Sequence, residues 1–423
     1  MEKVFALVDC NNFYASCEKL FRPDLKKVPV VVLSNNDGCI IARSKEAKAL
    51  GLKMGAPMFQ VQGDLQKHGV VCFSSNYALY ADLSSRVMSI LEGEAPQVEI
   101  YSIDEAFMDL TGIAPLESLL AFGQKVKVKV DKWTGISVGV GIAPTKTLAK
   151  LANHGAKKYP ATGLVVDLMD PERQRRLLAL VDVGQIWGVG RRTAKKLHER
   201  GIHTGLQLAD ADPKSIRSEF SVVLERTVRE LNGVSCLNLE LMRPVKQQII
   251  CSRSFGYKVT EAQQLREAIA KYTSRAAEKL REENRFCRVV CVFIRTSPYI
   301  PNEPQYAKTL STELPFPTSD TRALLDATEK LFNALWHAGF RYAKAGVMLT
   351  DFYESRSLQQ DLFCEDKGER NSASLMKVVD KINLSGLGYV YFASQGVSPQ
   401  WMMKREHLSP AYTTNWANLP KVR

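Results

Sequence analysis

The chain has 423 residues, 45% of them hydrophobic and 24% charged, enough for two to four domains with sizeable cores. Its 57 Lys and Arg against 45 Asp and Glu give a net charge of +12, which favours a polyanionic partner, a moderately basic soluble enzyme being the plainer alternative. Nine scattered cysteines without a Cys-x-x-Cys spacing exclude a disulfide framework and a zinc centre. No apolar run approaches the ~18 residues of a membrane span, and Met1-Glu2-Lys3 before a short strand is no signal peptide, so a cytoplasmic protein is expected.

Five apolar residues, Val4 to Val8, form a strand that runs into Asp9. A carboxylate ending a buried strand is costly unless it is paired or metal-bound. Asn11-Asn12 then offers a cap for an amphipathic helix beginning at Phe13-Tyr14-Ala15-Ser16. Residues 23–75 carry the strand VPVVVLS, the turn SNNDG and a short helix, KEAKALG, capped by Ser44 and ended by Gly51. Lys45 and Lys48 lie three apart and share a face. With Arg43 they either meet a triphosphate or form a solvated basic face.

A helix from Tyr77 to Leu91 leads to VEIYSIDEAFMDLT, Val98 to Thr111. Val98 to Ile103 and Ala106 to Leu110 read as strands, with Asp104 and Glu105 between them in apolar surroundings. Neighbours on one flat strand point to opposite faces, so a shared site requires a turn or bulge there. Such a pair on a rigid edge suits divalent-metal chemistry on phosphates, against the alternative of a solvated acidic turn. A converging strand end with Asp9 tips the balance towards a three-carboxylate metal site.

A helix, roughly Leu116 to Lys132, precedes the strand ISVGVGI, and together these elements predict an antiparallel or mixed sheet backed by helices. Gly139-Val140-Gly141 lacks the third glycine of a dinucleotide fingerprint, and Lys146-Thr147 lacks the glycine of a Walker loop. In the next helix Lys146, Lys150 and Lys157 fall within roughly 40° of one another, with Leu148 and Leu151 over ~90° away. An apolar core face beside a lysine stripe is expected, with Lys146 and Lys150 solvated or near a nucleic-acid backbone.

Residues 168–240 read as helices. Within them IWGVGRRTAKKLHERGI has a helix-hairpin-helix pattern, in which Gly188 and Gly190 let backbone N–H groups approach a phosphate ahead of Arg191. An ordinary glycine-rich helix turn is the alternative. After a linker near Arg243-Pro244 comes a βαββαβ pattern to residue 353, with long helices at Glu261 to Glu283 and Asp320 to His337. Residues 245–353 hold 16 basic and 11 acidic side chains. Arg253, between Ser252 and Ser254 on the first strand, either contacts a nucleic-acid backbone or faces solvent. Beyond Tyr353 a polar stretch contains the apolar pair Leu362-Phe363 after Gln359, followed by a helix (Ala373 to Ile382), an aromatic strand (GLGYVYFAS) and LSPAYTTNW.

DCNNFYASCE together with YSIDEAFMDL resembles the Y-family translesion DNA polymerases, the UmuC group above all, and the likeness runs along nearly the whole chain. The resemblance implies a mixed α+β right-hand polymerase. Its parts would be a ferredoxin-like palm (1–22 and 76–167), small fingers (23–75), a helix-hairpin-helix thumb (168–240), a βαββαβ little finger (245–353) and a partner-binding tail (354–423). It also implies error-prone nucleotidyl transfer past damaged bases in the SOS response, without proofreading. Two Mg²⁺ ions would sit on Asp9, Asp104, Glu105 and the backbone carbonyl of Cys10, with Asp104 and Glu105 catalytic. Phe13, Tyr14 (the steric gate), Lys45, Lys48 and Lys157 would bind the nucleotide, and Gly188, Gly190, Arg191 and Arg253 the DNA. Relatives often carry Tyr and Arg where Lys45 and Lys48 stand, so stacking and bidentate contact are given up here. Gln359, Leu362 and Phe363 resemble a sliding-clamp motif. The partners implied are primer-template DNA, deoxynucleoside triphosphates, a UmuD′ dimer, RecA and the clamp, and no membrane. The carboxylate trio alone leaves two rivals: another two-metal nucleic-acid enzyme, and a noncatalytic DNA-binding scaffold.

Overall fold

The strand that ends in Asp9 lies at the centre of a five-stranded sheet. In the computed structural model, which describes residues 3–113, 116–242, 244–354, 369–385, 388–397 and 401–419, the chain begins with β1 (Phe5–Cys10) and α1 (Phe13–Leu20). An insertion follows, made of β2 (Val30–Leu33), β3 (Ile40–Arg43), α2 (Lys45–Ala49), α3 (Met58–Lys67) and β4 (Val71–Ser74). Then come α4 (Tyr77–Glu92), β5 (Gln97–Ile100), β6 (Glu105–Asp109), α5 (Leu119–Thr134), β7 (Val138–Ala143), α6 (Lys146–Lys158) and β8 (Val165–Asp167). The sheet order is β5-β6-β1-β7-β8, antiparallel except for the parallel pair β7 and β8, so the mixed alternative holds.

β1 is buried on both faces, which is why it reads as an unbroken apolar run. Ala6, Val8 and Cys10 pack with Leu83 and Val87 of α4 and with Val126 and Val130 of α5. Phe5 and Leu7 pack on the opposite face with Leu148 and Ala152 of α6. The Gly-Val-Gly stretch is a packing device: a Cβ at Gly141 would collide with the Asn153 amide nitrogen and the Ala149 carbonyl of α6. Lys146, expected to be solvated, is buried at the first turn of α6, where its ammonium reaches both oxygens of buried Glu99 at 2.9 and 2.6 Å. The Lys146 ammonium also lies 4.6 Å from the Phe107 ring centre. Helical angle alone does not report that β5 supplies an acid opposite that lysine.

The insertion folds as a three-stranded sheet, β3-β2-β4, with its own small core of Val31, Leu33, Ile40, Ala47, Leu52 and Leu65. Ser44 caps α2 by accepting from the Ala47 amide at 3.3 Å. A helical bundle follows: α7 (Pro171–Ala179), α8 (Arg191–Glu199), α9 (Gly205–Ala209), α10 (Pro213–Glu219) and α11 (Val222–Leu231). Its core residues, Leu178, Leu197, Leu208 and Val228, join those on the α6 face of the sheet.

The βαββαβ pattern is realised as β9 (Gln248–Val259), α12 (Ala262–Glu282), β10 (Arg285–Thr296), β11 (Ala307–Thr318), α13 (Thr321–Leu335) and β12 (Tyr342–Glu354). The sheet order is β11-β10-β12-β9, with α12 and α13 sharing its core. Helix α14 (Glu369–Leu384) docks through buried Met376 and a two-pronged Arg281–Asp380 pair with both contacts at 2.7 Å. The expected strand GLGYVYFAS is not one among its described residues. Residues 388–394 pair with no strand among the described residues, and Val390 is instead held by the Asn383 side chain, which accepts from its N–H at 2.7 Å and donates to its C=O at 3.0 Å.

The chain divides into two compact units: Met1–Ser34 with Gly38–Arg243 and His407–Arg423, and Asn35–Asp37 with Pro244–Glu406. The residues read together as a tail are therefore shared between the two. No helix among the described residues is long and apolar enough to cross a membrane.

Candidate active site

Asp9 on β1 stands directly opposite Glu105, the first residue of β6. Directly opposed residues point to the same face of a sheet, and here it is the face that α6 covers. Asp104 ends the turn between β5 and β6. The amides of Tyr101 and Ser102 both donate to the Glu105 carbonyl at 3.1 Å, and the Asp104 carbonyl accepts from the Cys10 amide at 2.8 Å. The Ser102 hydroxyl donates to Asp104 Oδ1 at 2.7 Å. The turn takes Asp104 off the pleat, so adjacent carboxylates need not point to opposite faces.

Two lysines of α6 reach these carboxylates. Lys157 pairs with Asp9, and Lys150 pairs with Glu105 at 3.0 Å. The Lys150 ammonium lies 4.7 Å from the ring centre of Tyr101 and 5.2 Å from that of Trp187. Trp187 meets Tyr101 edge-on at 5.7 Å. Asp9, Lys150, Asn153, Lys157, Gln185 and Trp187 line a cleft of about 260 Å³. Burial pushes the Asp9 carboxyl up to about 6; Lys157 pulls it down, and the charges of Glu105 and Asp104 push it further up.

Among the described residues no three His, Cys, Asp or Glu side chains are grouped so as to hold a metal ion. The donor chemistry nonetheless fits a hard divalent cation. Asp9 and Glu105 face each other across adjoining strands, with Asp104 and the Cys10 carbonyl next to them along the chain, and the Asp9 carboxyl is raised chiefly by burial, with Lys157 opposing the shift. The Cys10 thiol itself is buried in the opposite core. Its ionisation is driven above the ordinary thiol range by burial and then by Asp9 and Asp104. Burial drives up the Cys17 thiol in the same way.

Beyond Cys10 the chain reverses through Asn12 in the left-handed region (φ 52°), which makes no side-chain capping bond, and enters α1. Phe13 is buried. Tyr14 is half-buried, stacked on Tyr80 at 4.4 Å and 15°, and edge-on to Tyr77 at 6.1 Å. On α2 Lys45 is exposed. The Lys48 ammonium is held below the usual lysine range by partial burial and by the charges of Arg43 and Lys157, with Asp9 acting in the opposite sense. Lys48, Lys157 and Asp9 therefore share one electrostatic neighbourhood.

Gly188 takes φ 90°, a conformation that favours glycine, and Gly190 is the N-cap of α8, where Arg191 is exposed. Arg253 is exposed on β9 and donates to the adjacent Ser252 carbonyl at 2.8 Å. In the same sheet Arg295 and Lys344 stand directly opposite each other. Like charges so placed repel, an arrangement that suits a polyanion. Gln359, Leu362 and Phe363 lie outside the described residues.

Three participants are not legible from the motifs. Lys150 shares the helix face of Lys157, but nothing local shows that Glu105 and two rings meet it. Trp187 is a lone large aromatic just before the glycine turn, and that was its one available signal. Ser102 was visible only as part of a strand.

The impB/mucB/samB family model matches residues 8–154, its C-terminal domain model matches 246–362, and a domain of unknown function (DUF4113) matches 373–422. Protein UmuC of Salmonella typhimurium is 54% identical over 422 residues, covering 99% of this chain and 100% of the relative. Protein MucB of Escherichia coli is 49% identical over 417 residues, covering 99% of each chain. DNA polymerase IV of Halobacterium salinarum is 29% identical over 374 residues, covering 85% of this chain and 88% of the relative. Among solved structures, a Y-family DNA polymerase chimera of Dbh and Dpo4 superposes with a TM-score of 0.66 at 20% identity, covering 83% of this chain and all of that one. That structural likeness carries the right-hand polymerase fold, and the full-length identities carry the family. The chain belongs to the impB/mucB/samB family and has the fold of the Y-family DNA polymerases.

Proposed function

We propose that this DNA-directed DNA polymerase is the error-prone translesion subunit of an SOS response, copying past damaged bases by two-metal nucleotidyl transfer. The observation that supports the chemistry is Asp9 directly opposite Glu105, with Asp104 in the adjoining turn, beside a lysine-lined cleft. Two Mg²⁺ ions held by these carboxylates and the Cys10 carbonyl would lower the pKa of a primer 3′-hydroxyl and neutralise charge on the triphosphate.

The protein's own part is positioning. β1 and β6 fix Asp9 and Glu105 opposite each other, and Lys150 and Lys157 balance them while substrate is absent. Lys157 and Lys48 then serve the triphosphate oxygens, and the exposed Lys45 adds positive charge at the entrance. Phe13 fixes the start of α1, so that the Tyr14 ring closes the space a 2′-hydroxyl would need. The amides around Gly188 and Gly190, with Arg191, receive DNA phosphates without reading sequence. Arg253 adds a backbone contact from the second unit. The UmuD′ dimer, RecA and the sliding clamp are the partners this reading calls for, the clamp through Gln359, Leu362 and Phe363, in the cytoplasm.

Primer extension with Mg²⁺ on an intact and an abasic template, with and without UmuD′ and RecA, tests the reading. Insertion opposite the abasic site without 3′-end trimming is expected. DNA cleavage, or binding without elongation under every condition, overturns it. In the same assay Tyr14→Ala should raise ribonucleotide use by roughly a hundredfold, on the order of 3 kcal/mol of discrimination. An active, folded Tyr14→Ala with unchanged sugar preference reduces Tyr14 to a core residue.

A further inference from the structure

The last described stretch of the chain has a built seat on the first unit. Ser74 and His407 exchange two hydrogen bonds: the Ser74 amide donates to the His407 carbonyl at 2.9 Å, and the His407 amide donates to the Ser74 hydroxyl at 3.0 Å. The buried Asn76 side-chain amide donates to the Ser409 carbonyl, the Ser409 hydroxyl and the Pro410 carbonyl at 3.2, 2.9 and 3.1 Å. Tyr412 is buried in the sheet's core and stacks on Phe21, the residue that ends α1, at 4.5 Å and 12°. This is a fixed segment of the fold, although it belongs to a region whose matching family model names no function.

The seat leads to the nucleotide side of α1. The Ser409 hydroxyl donates at 3.1 Å to Glu18 Oε1, which also accepts the Tyr80 hydroxyl at 2.7 Å. Glu18 and Tyr80 are both fully buried. The other Glu18 oxygen has no hydrogen-bond donor, so these two hydroxyls are what hold the carboxyl in place. Tyr80 is the ring on which Tyr14 stacks. A side chain from the end of the sequence therefore reaches the steric-gate aromatic in three steps: Ser409 to Glu18, Glu18 to Tyr80, Tyr80 to Tyr14.

We propose that the C-terminal segment from His407 to Leu419 is an internal buttress of sugar selection, and that Ser409 and Glu18 are positioning residues that hold Tyr80 under Tyr14. The proposal rests on the steric-gate reading of Tyr14. Its physical content is stiffness. A ring that excludes one hydroxyl must not yield by a fraction of an ångström, and the backing ring is fixed at its far end by a hydroxyl–carboxyl–hydroxyl chain whose last link is Ser409.

The test compares kcat/KM for deoxy- and ribonucleotide insertion in the full-length chain, under the conditions that support its synthesis. Ser409→Ala should lower the deoxy-to-ribo ratio by about tenfold, mainly by admitting ribonucleotides, with deoxynucleotide insertion nearly unchanged. Ser409→Thr, which keeps the hydroxyl, should restore the parent ratio. Tyr80→Phe keeps the ring and loses the hydroxyl, so it should shift the ratio in the same direction. Combining it with Ser409→Ala should add little, because both break one chain. An unchanged ratio in folded Ser409→Ala and Tyr80→Phe overturns the buttress, as does an equal loss for both sugars. Tyr14→Ala separates the two readings: if it alters the ratio and the others do not, only the buttress fails, and if it does not, both fail.

Discussion

Asp104→Ala is expected to lose nucleotide incorporation by roughly a thousandfold or more, about 4 kcal/mol of transition-state stabilisation, while keeping its affinity for primer-template DNA. The split follows from where Asp104 sits. Its backbone carbonyl accepts from the Cys10 amide, a bond that survives any side-chain change, so the turn joining β5 to β6 stays tied to β1. Its side chain meets only the Ser102 hydroxyl among the hydrogen bonds described. Asp104→Asn keeps an oxygen for that hydroxyl and removes only the charge, and it should fall as far as Asp104→Ala. DNA binding, assigned in the proposed function to residues other than Asp104, provides the control. Appreciable Mg²⁺-dependent synthesis by either variant would remove Asp104 from the reaction.

The largest effect on stability is expected at Lys146. Its ammonium and the Glu99 carboxylate are nearly water-free, with side-chain exposures of 5% and 7%. Glu99 also accepts the Glu240 amide at 2.7 Å, and Lys146 reaches towards the Asn238 carbonyl at 3.4 Å. Lys146→Ala leaves a buried carboxylate with one amide for company, and breaking such a pair from one side destabilises by about 3–5 kcal/mol. In a unit of this size that is a fall on the order of 10 °C in melting temperature. Lys146→Met with Glu99→Gln removes both charges, keeps an acceptor for the Glu240 amide, and should recover most of the loss. Thermal and urea unfolding of the single and double variants measure this. A single variant within about 1 kcal/mol of the parent would show that the pair is not a structural clasp.

Much of this was written locally, and the exceptions share a cause. β1, β6 and the helices on either side of them announce themselves by apolar period, and the Asp104-Glu105 doublet stands out because charge interrupts an apolar run. Helix α6 was legible as well, down to the common face of Lys150 and Lys157. What the period could not report is the partner from elsewhere in the chain. Glu99 turns Lys146 from a surface residue into a buried one, and Tyr101 with Trp187 encloses Lys150. The GLGYVYFAS segment failed in the opposite sense: its aromatic and β-branched residues have strand propensity, but among the described residues no strand pairs with residues 388–394. The insertion was read as one strand and a helix. It has three strands, each four residues long, and only β2 announces itself by an unbroken apolar run, VVVL, while IIAR and VCFS are too short to show a period.

The burial of Cys10 and Cys17 has a use at the bench. Both thiols adjoin proposed site residues, one beside Asp9 and the other on the helix of Tyr14, yet burial favours the protonated, weakly nucleophilic form of both inside the core. Maleimides and mild oxidants attack thiolates that solvent can reach, so they should pass these two by while the protein stays folded. Labelling at an engineered surface cysteine then calls for replacing the partly exposed Cys39, Cys72 and Cys236, and not the two thiols in the core.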